Sequence, residues 1–398
     1  MSLRTSAAFL AFLAVLPLIG GPRALQAGTK PLASRIAEHG YPAPFQAWNG
    51  ITNQKELTEN QRRAKHDFYW DTLPQWGLKW EGAWEGEGRS FTSASLAAWT
   101  KTKNELLELN PNMVLIAEVR YFCAPEGYLP ETSKCWQHDA GGKRIPFCGQ
   151  WKLDFKLPAV QDQVVAMCAA ACALFDGVML DCWVNDNWAD SDKDKTNLVK
   201  KVREKIGADK IVIVNNNQYP VPNSAPYVNG LFMECSYQGD AAYWAKLSET
   251  LRWAETSLRE PRTNCIETWA TGANQANVMR ALNTLAMTHS NGYGTFCEQN
   301  NEHWHLWWDF LGAAIGEPKG PGVQREDGLW LREFSGGTVA YNPPGKGPKN
   351  LVFDDARTRA SEGRDAKILV AGTSLALAEK DGELFLHAED KPAKPPAP

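Results

Sequence analysis

Little in this chain points to nucleic acid, to a metal or to a nucleotide cofactor. Across 398 residues, 42 lysines and arginines against 46 acids leave a net charge of -4, the wrong sign for a protein whose main partner is a polyphosphate. No glycine-rich loop follows the first candidate strand, so a dinucleotide fingerprint is missing. None of the nine cysteines falls in a CxxC or a Cys/His zinc spacing, and His303 and His305 have no third ligand at a fitting distance in sequence. The run Asp186, Asp190, Asp192 and Asp194 lacks the glycine and closing glutamate of a calcium loop. Neither an organic cofactor nor a metal is expected. Beyond residue 27 no apolar run is long enough to cross a bilayer.

What is present begins with a leader-like segment. Arg4 precedes an apolar run from Ala7 to Ile19, and the small residues up to Ala24, Gln26 and Ala27 follow it, which is the layout of a secretory signal peptide occupying residues 1–27. The apolar run falls short of the roughly 20 residues a spanning helix needs. A secreted or periplasmic protein is therefore expected, without stable membrane insertion once the leader is removed, the alternative being an uncleaved anchor. Export permits disulfides, and Cys123, Cys135 and Cys148 fall in one loop-like stretch where a staple would make sense. The remaining cysteines sit in a candidate helix or near strand ends, as small apolar fillers.

Short apolar runs alternate with longer amphipathic stretches from Phe45 onward. The expected strands are Phe45–Trp48, Gly77–Trp80, Met113–Val119, Gly177–Asp181, Lys210–Asn215, Gly230–Glu234, Asn264–Thr268 and Gly292–Cys297. Their number and the intervening helical spacing, such as Leu198, Val199, Val202 and Ile206 before Gly207, predict an α/β fold, a (β/α)8 TIM barrel over residues 28–318. After Lys319-Gly320-Pro321-Gly322 the pattern becomes strand and turn, which predicts a small C-terminal β-sandwich over residues 323–390. The proline- and lysine-rich tail 391–398 reads as disordered.

In such a barrel the carboxyl ends of the strands face the active site. That rule selects Glu81, Glu118, Asp181, Glu234, Glu267 and Glu298. Cleaving a glycosidic bond takes two carboxyl groups, one protonated to donate to the leaving oxygen and one ionised to attack carbon or activate water. Asp181, after the apolar run Val178-Met179-Leu180, is the expected nucleophile, or the base in an inverting enzyme. Glu234, after Leu231-Phe232-Met233, is expected to be the general acid, because desolvation raises a carboxyl pKa. Glu267 competes for that role. Glu118 with Arg120 reads as an ion pair in the barrel mouth, and Glu298 as a hydroxyl-binding group. One of Asn215, Asn216 and Asn217 is expected to reach substrate, Asn216 being the choice, with Tyr237 beside it. The 17 tryptophans include Trp48, Trp80, Trp183 and Trp269 at strand ends, where sugar-stacking platforms belong. Trp304, Trp307 and Trp308 read as helical packing. The expected partner is an oligo- or polysaccharide, cleaved or merely bound.

Three phrases carry a resemblance. They are Trp151 to Val160, with Leu153-Asp154 followed by Pro158 at a helix start; Asp176 to Trp183; and Leu331-Arg332-Glu333-Phe334 with Gly337 and Tyr341-Asn342-Pro343. Together they resemble uncharacterised barrel families grouped with the glycoside hydrolases, in particular hypothetical glycosyl hydrolase family 15, and more distantly families 27, 31 and 36. The resemblance implies a (β/α)8 hydrolase with an aspartate nucleophile on strand four, here Asp181, and an acid on strand six, here Glu234. Families 27 and 36 use aspartate as the acid, so Glu234 departs from their pattern.

Overall fold

The computed structural model describes residues 30–184, 188–236, 239–270, 275–298 and 302–388. Eight strands follow one another in space in chain order: β1 Phe45–Ala47, β2 Phe68–Thr72, β3 Val114–Glu118, β4 Gly177–Leu180, β5 Ile211–Asn215, β6 Gly230–Ser236, β7 Cys265–Trp269 and β8 Tyr293–Cys297. Each neighbour pair is parallel. Between β8 and β1 a side chain completes the circuit. Gly294 donates its N–H to the Ala43 carbonyl at 3.0 Å, and the Thr295 hydroxyl takes the N–H of Phe45 and donates to its carbonyl. The expected α/β barrel is the fold.

Helices α1 Leu32–Ala37, α2 Glu59–Arg63, α3 Ser93–Leu109, α4 Pro158–Cys172, α5 Trp188–Ile206, α6 Ala241–Ser257 and α7 Gln275–His289 accompany the strands. Their starts follow local chemistry. Thr58 and Gln61 form a reciprocal capping box on α2, Asp240 caps α6 through the Tyr243 N–H, and Pro158 stands in the first turn of α4 where its missing N–H costs nothing. The connection from β5 to β6, residues 216–229, contains no helix.

Strand alternation sorts the core into two layers. One parity, including Phe45, Trp70, Ile116, Met179, Ile213, Phe232, Cys265 and Tyr293, fills the barrel interior. The other parity, including Tyr69, Leu115, Val178, Leu180, Val212, Val214 and Leu231, packs outward with the helices. Gly177 and Gly230 open β4 and β6 where a Cβ would run into a neighbouring backbone carbonyl. The acid and the amide before them are structural: Asp176 holds Arg35 and the Leu115 N–H, and Asn229 bonds Arg203 and the Val212 N–H.

The second strand differs from the sequence expectation. It is Phe68–Thr72, reached through the five-residue helix α2, whereas Gly77–Trp80 is a turn with one bridge from Trp80 to Phe91. The β1–β2 crossover carries only the five-residue helix α2, so no long amphipathic stretch marks the aromatic run that pairs with β1. Between β3 and α4 the chain adds a three-stranded sheet of Cys123–Ala124, Pro146–Phe147 and Gln150–Lys152.

The C-terminal region holds β9 Val323–Gln324, β10 Trp330–Phe334, β11 Gly337–Asn342, β12 Lys349–Val352, β13 Arg357–Arg359, β14 Ser374–Leu377 and β15 Asp381–His387. Five of them form an antiparallel sheet in the order β9-β10-β11-β15-β13, and β12 pairs with β14. Leu329, Ala340, Leu351, Leu377 and Phe385 fill the space between the two sheets. The larger sheet continues the barrel's outer core through Phe334, Val339, Tyr341 and Leu384, and is pinned by Arg280 on Asp381 at 2.8 Å and by Arg332 on the Met287 and Ser290 carbonyls, both at 2.7 Å. Among the described residues no helix is long and apolar enough to cross a membrane.

Candidate active site

Interior parity explains which polar groups converge. Two residues beyond Ile116, Met179, Ile213, Phe232 and Cys265 in the barrel lining stand Glu118, Asp181, Asn215, Glu234 and Glu267, so one more layer of alternation turns five polar side chains into the mouth. Glu234 and Glu267 are direct cross-strand partners. Chain parity sends Asn216 the other way: its side chain is fully buried, with neither amide atom hydrogen-bonded. The asparagine that reaches the site is Asn215, a correction to the expected Asn216.

Asn215 joins the two carboxyl groups of interest. Its Nδ2 donates to Asp181 Oδ1 at 2.8 Å and to Glu234 Oε2 at 2.9 Å. Those two oxygens therefore lie no farther apart than the two bonds laid end to end, about 5.7 Å. The second oxygen of Asp181 faces the Cys182 thiol at 3.3 Å. Burial, then the neighbouring Glu267 and Asp181 carboxylates, push the Glu234 carboxyl up to about 7 against the opposing charge of His303 and the bond from Asn215. A carboxyl with that value is half protonated near neutrality, as a general acid needs to be.

Glu267 is fully buried and faces His303, whose Nδ1 lies 2.9 and 3.1 Å from its two oxygens. Burial works against a charge on His303, but Glu267, together with Glu234 and Asp181, outweighs it and raises the imidazole to about 9. His303 is thus a cation at neutral pH, set among three acids, with its ring against Trp48 at 4.5 Å. Nothing in the sequence marked it, since H-x-H spacing drew attention only to metals. Its companion His305 turns away and meets His66, the two Nε2 atoms 2.8 Å apart. Among the described residues no group of three or more histidine, cysteine or acidic side chains is placed so that it could hold a metal ion.

Glu118 accepts the Trp48 indole N–H at 2.6 Å, and Arg120 lies 3.7 Å from its other oxygen. Burial, and beyond it the Asp181 charge, raise the Glu118 carboxyl, with Arg120 and the Trp48 bond opposing. The true second strand supplies an acid that sequence reasoning missed. Asp71 takes the Tyr69 hydroxyl at 3.1 Å and the Thr72 N–H at 2.7 Å, and burial lifts it to about 7. Glu81 instead accepts from Ser90 on an exposed turn.

The remaining expectations divide. Trp269 ends β7 with the parity of Glu267 and is half-buried. Glu298 holds the Leu306 N–H and is lifted to about 7 by burial, so it anchors the loop carrying His303. Trp183 is fully buried against Tyr121, and Trp80 stacks on Phe91 beneath Gly88, so neither is a sugar platform. Trp304, expected to pack in a helix, is instead 45% exposed beside the mouth. Tyr237 lies outside the described residues. All nine cysteines are free thiols, including Cys123, Cys135 and Cys148, where a staple was expected.

No protein-family model matches the chain, and no curated protein matches it. Solved structures similar to it include glycoside hydrolases. An α-amylase from Anoxybacillus aligns with TM-score 0.48 and 11% identity over 81% of this chain and 87% of that one. The α-amylase of Geobacillus thermoleovorans, solved with acarbose, aligns with TM-score 0.47 and 11% identity over 86% and 97%. An α-amylase from Malbranchea cinnamomea gives 0.47 and 9% over 90% and 98%. Identities near one in ten leave the chemistry to be argued from the side chains themselves.

Proposed function

We propose that this protein is an exported glycoside hydrolase that cleaves an oligo- or polysaccharide with retention of configuration, Asp181 acting as nucleophile and Glu234 as acid and then base. The observation that carries the reading is the single amide nitrogen of Asn215 shared by both carboxyl groups. Retaining glycosidases hold their two carboxyls about 5–5.5 Å apart, whereas inverting ones leave about 6.5–9.5 Å for a water. The one pair of oxygens bridged by Asn215 lies within about 5.7 Å, a close approach of the kind the first geometry needs.

In the first step protonated Glu234 donates to the glycosidic oxygen as the Asp181 carboxylate attacks the anomeric carbon, forming a glycosyl ester and releasing the leaving sugar. In the second, Glu234, now ionised, takes a proton from water as that water attacks the same carbon and expels Asp181. His303, cationic between Glu267, Glu234 and Asp181, offsets the accumulated negative charge. Glu267, with both oxygens engaged by His303, suits an anchoring role better than proton transfer. Export rests on the leader-like text of residues 1–27, with a mature start near Gly28.

The test is hydrolysis on a broad glycan panel read by product mass and anomeric configuration. Wild type is expected to release a product of retained configuration, and Asp181→Asn and Glu234→Gln to lose at least about a hundredfold in kcat. Normal turnover by Glu234→Gln with loss in Glu267→Gln would move the acid to Glu267. Glycan binding without hydrolysis by wild type would leave a binding protein on an inert barrel.

A further inference from the structure

A recess of about 440 Å³ opens beside the carboxylate cluster, over the ends of β1, β2 and β3, within the size range of small-molecule sites. Trp48 forms the wall between the two, its indole N–H on Glu118 and its ring on His303. A sugar chain whose scissile bond lies at Asp181 and Glu234 would place a neighbouring unit in this recess. The charges facing it differ from those at the cluster. Arg62, Arg63 and Arg120 line it against the acids Glu59 and Asp71.

Two of the three guanidiniums have a carboxylate within ion-pair distance. Arg63 pairs with Glu59 one turn away. Arg62 uses Nη1 on the Leu57 and Gln54 carbonyls, at 2.7 and 3.5 Å, and among the described residues no carboxylate lies within ion-pair distance of it. Arg120 has an amide partner, Gln150 Oε1 at 2.9 Å, and stands 3.7 Å from Glu118. Asp71, the remaining acid, is shielded by the Tyr69 hydroxyl and the Thr72 N–H. The amides of Gln46, Asn49 and Gln75 and the hydroxyls of Tyr69 and Thr72 also line the recess, as a sugar ring needs. The Arg62 guanidinium, with no acid beside it among the described residues, adds a charge that a neutral sugar does not call for. Guanidiniums with donors to spare fit a flat oxyanion, which they bind in a bidentate fork.

We propose that this recess receives an anionic substituent, carboxylate or sulfate, on the sugar next to the scissile bond, so that the substrate is an acidic glycan. The inference rests on the hydrolase reading for its register along the chain. The acids at the cluster repel a second negative charge at the bond itself, and the basic recess accepts it one unit away, which aligns an acidic chain in one direction across the mouth.

The experiment measures equilibrium binding to the full-length Asp181→Asn protein, which cannot turn over its ligand. The probes are oligogalacturonates and hyaluronan oligomers, each beside its carboxyl-reduced form, and chondroitin sulfate oligomers beside their desulfated form. At least one acidic member is expected to bind at least tenfold more tightly than its neutral counterpart, with affinity falling as salt rises. Arg62→Gln is expected to reduce that preference at least tenfold, while Arg62→Lys, which keeps the charge and tests folding of the α2 loop, retains most of it. A preference in the uronate pairs alone, or in the sulfate pair alone, names the anion. Equal binding of both members in every pair, no binding to any of them, or a preference untouched in Arg62→Gln overturns the proposal. If wild type hydrolyses neutral glycans and shows no acidic preference, this inference fails and the hydrolase reading stands. If the preference is present and no glycan is hydrolysed, the hydrolase reading fails instead.

Discussion

Replacing Asn215 by alanine removes one amide that serves two carboxyl groups, and its effect on the pH profile can be worked out in sign and size. The bond from Nδ2 to Glu234 Oε2 at 2.9 Å favours the ionised form of Glu234, so its loss raises the pKa. The companion bond at 2.8 Å to Asp181 Oδ1 disperses charge on the neighbouring acid, and its loss raises Glu234 further. A hydrogen bond to a charged group contributes about 1.5–3 kcal/mol, and one pKa unit is about 1.4 kcal/mol. Water entering the vacated space recovers part of this, so the lower end applies, about one unit. Glu234 stands near 7 in the native protein; in Asn215→Ala the alkaline limb of kcat/KM is therefore expected near 8. The plateau should fall about ten- to a hundredfold as Asp181 loses its fixed orientation. The assay is a kcat/KM profile from pH 4 to 10 on whichever glycan the panel identifies, with the carbon-13 shift of the Glu234 carboxyl as a direct reading. A limb that stays in place, or moves toward acid, refutes the assigned roles of Glu234 and Asn215.

Two further outcomes follow from the buried charges. Glu234 holds its proton up to about 7 when folded against about 4.5 in the unfolded chain; its contribution to stability is full below 4.5 and is lost as pH rises through 7. Glu234→Gln should accordingly be more stable than wild type at pH 8 by up to about 3 kcal/mol, with the gap closing below pH 4.5 in denaturant melts; an equal gap at both pH values would contradict the desolvation of this acid. His303→Ala strands a fully buried Glu267, which costs on the order of 3–5 kcal/mol when a buried pair is broken on one side, and adding Glu267→Gln should restore part of that stability. A double variant no more stable than His303→Ala alone would show that the pair is not what holds this loop.

Seven of the eight barrel strands were legible because each is a short apolar run, and three open on an acid or amide followed by glycine: Asp176-Gly177, Asn229-Gly230 and Asn291-Gly292. The polar residue ties down backbone or side chains from neighbouring segments, and the glycine admits a carbonyl that any side chain would strike. The carboxylates were legible for the same reason, since counting two residues beyond a lining position is arithmetic on a strand. That arithmetic also chooses between Asn215 and Asn216 once Phe232 and Ile213 are known to face inward, which the sequence alone leaves open. The second strand was lost because helix α2 is only five residues long, and Asp71 was lost with it. Trp80 and Trp183 looked like platforms because tryptophan after a strand suits either a sugar or a core, and here the core took both.

The part of the site hardest to read lies in residues whose backbone does what their side chains disfavour. Trp48, Cys182, Asn217 and His303 all have positive φ, 51°, 58°, 46° and 64°. Trp48, Cys182 and Asn217 follow β1, β4 and β5 within two residues, and His303 lies in the loop after β8. Glycine would take these turns without strain, and a sequence reader looks for it there. At three of these positions, however, the side chain makes a contact that glycine could not. Trp48 holds Glu118 and walls the recess, Cys182 faces Asp181, and His303 engages Glu267. Non-glycine residues in this region cost on the order of 1–3 kcal/mol each and persist only where surrounding contacts over-determine them. Four of the six described non-glycine residues with positive φ, the others being Cys148 and Lys380, thus gather around one ring of carboxylates, which is an argument for function independent of the pKa shifts.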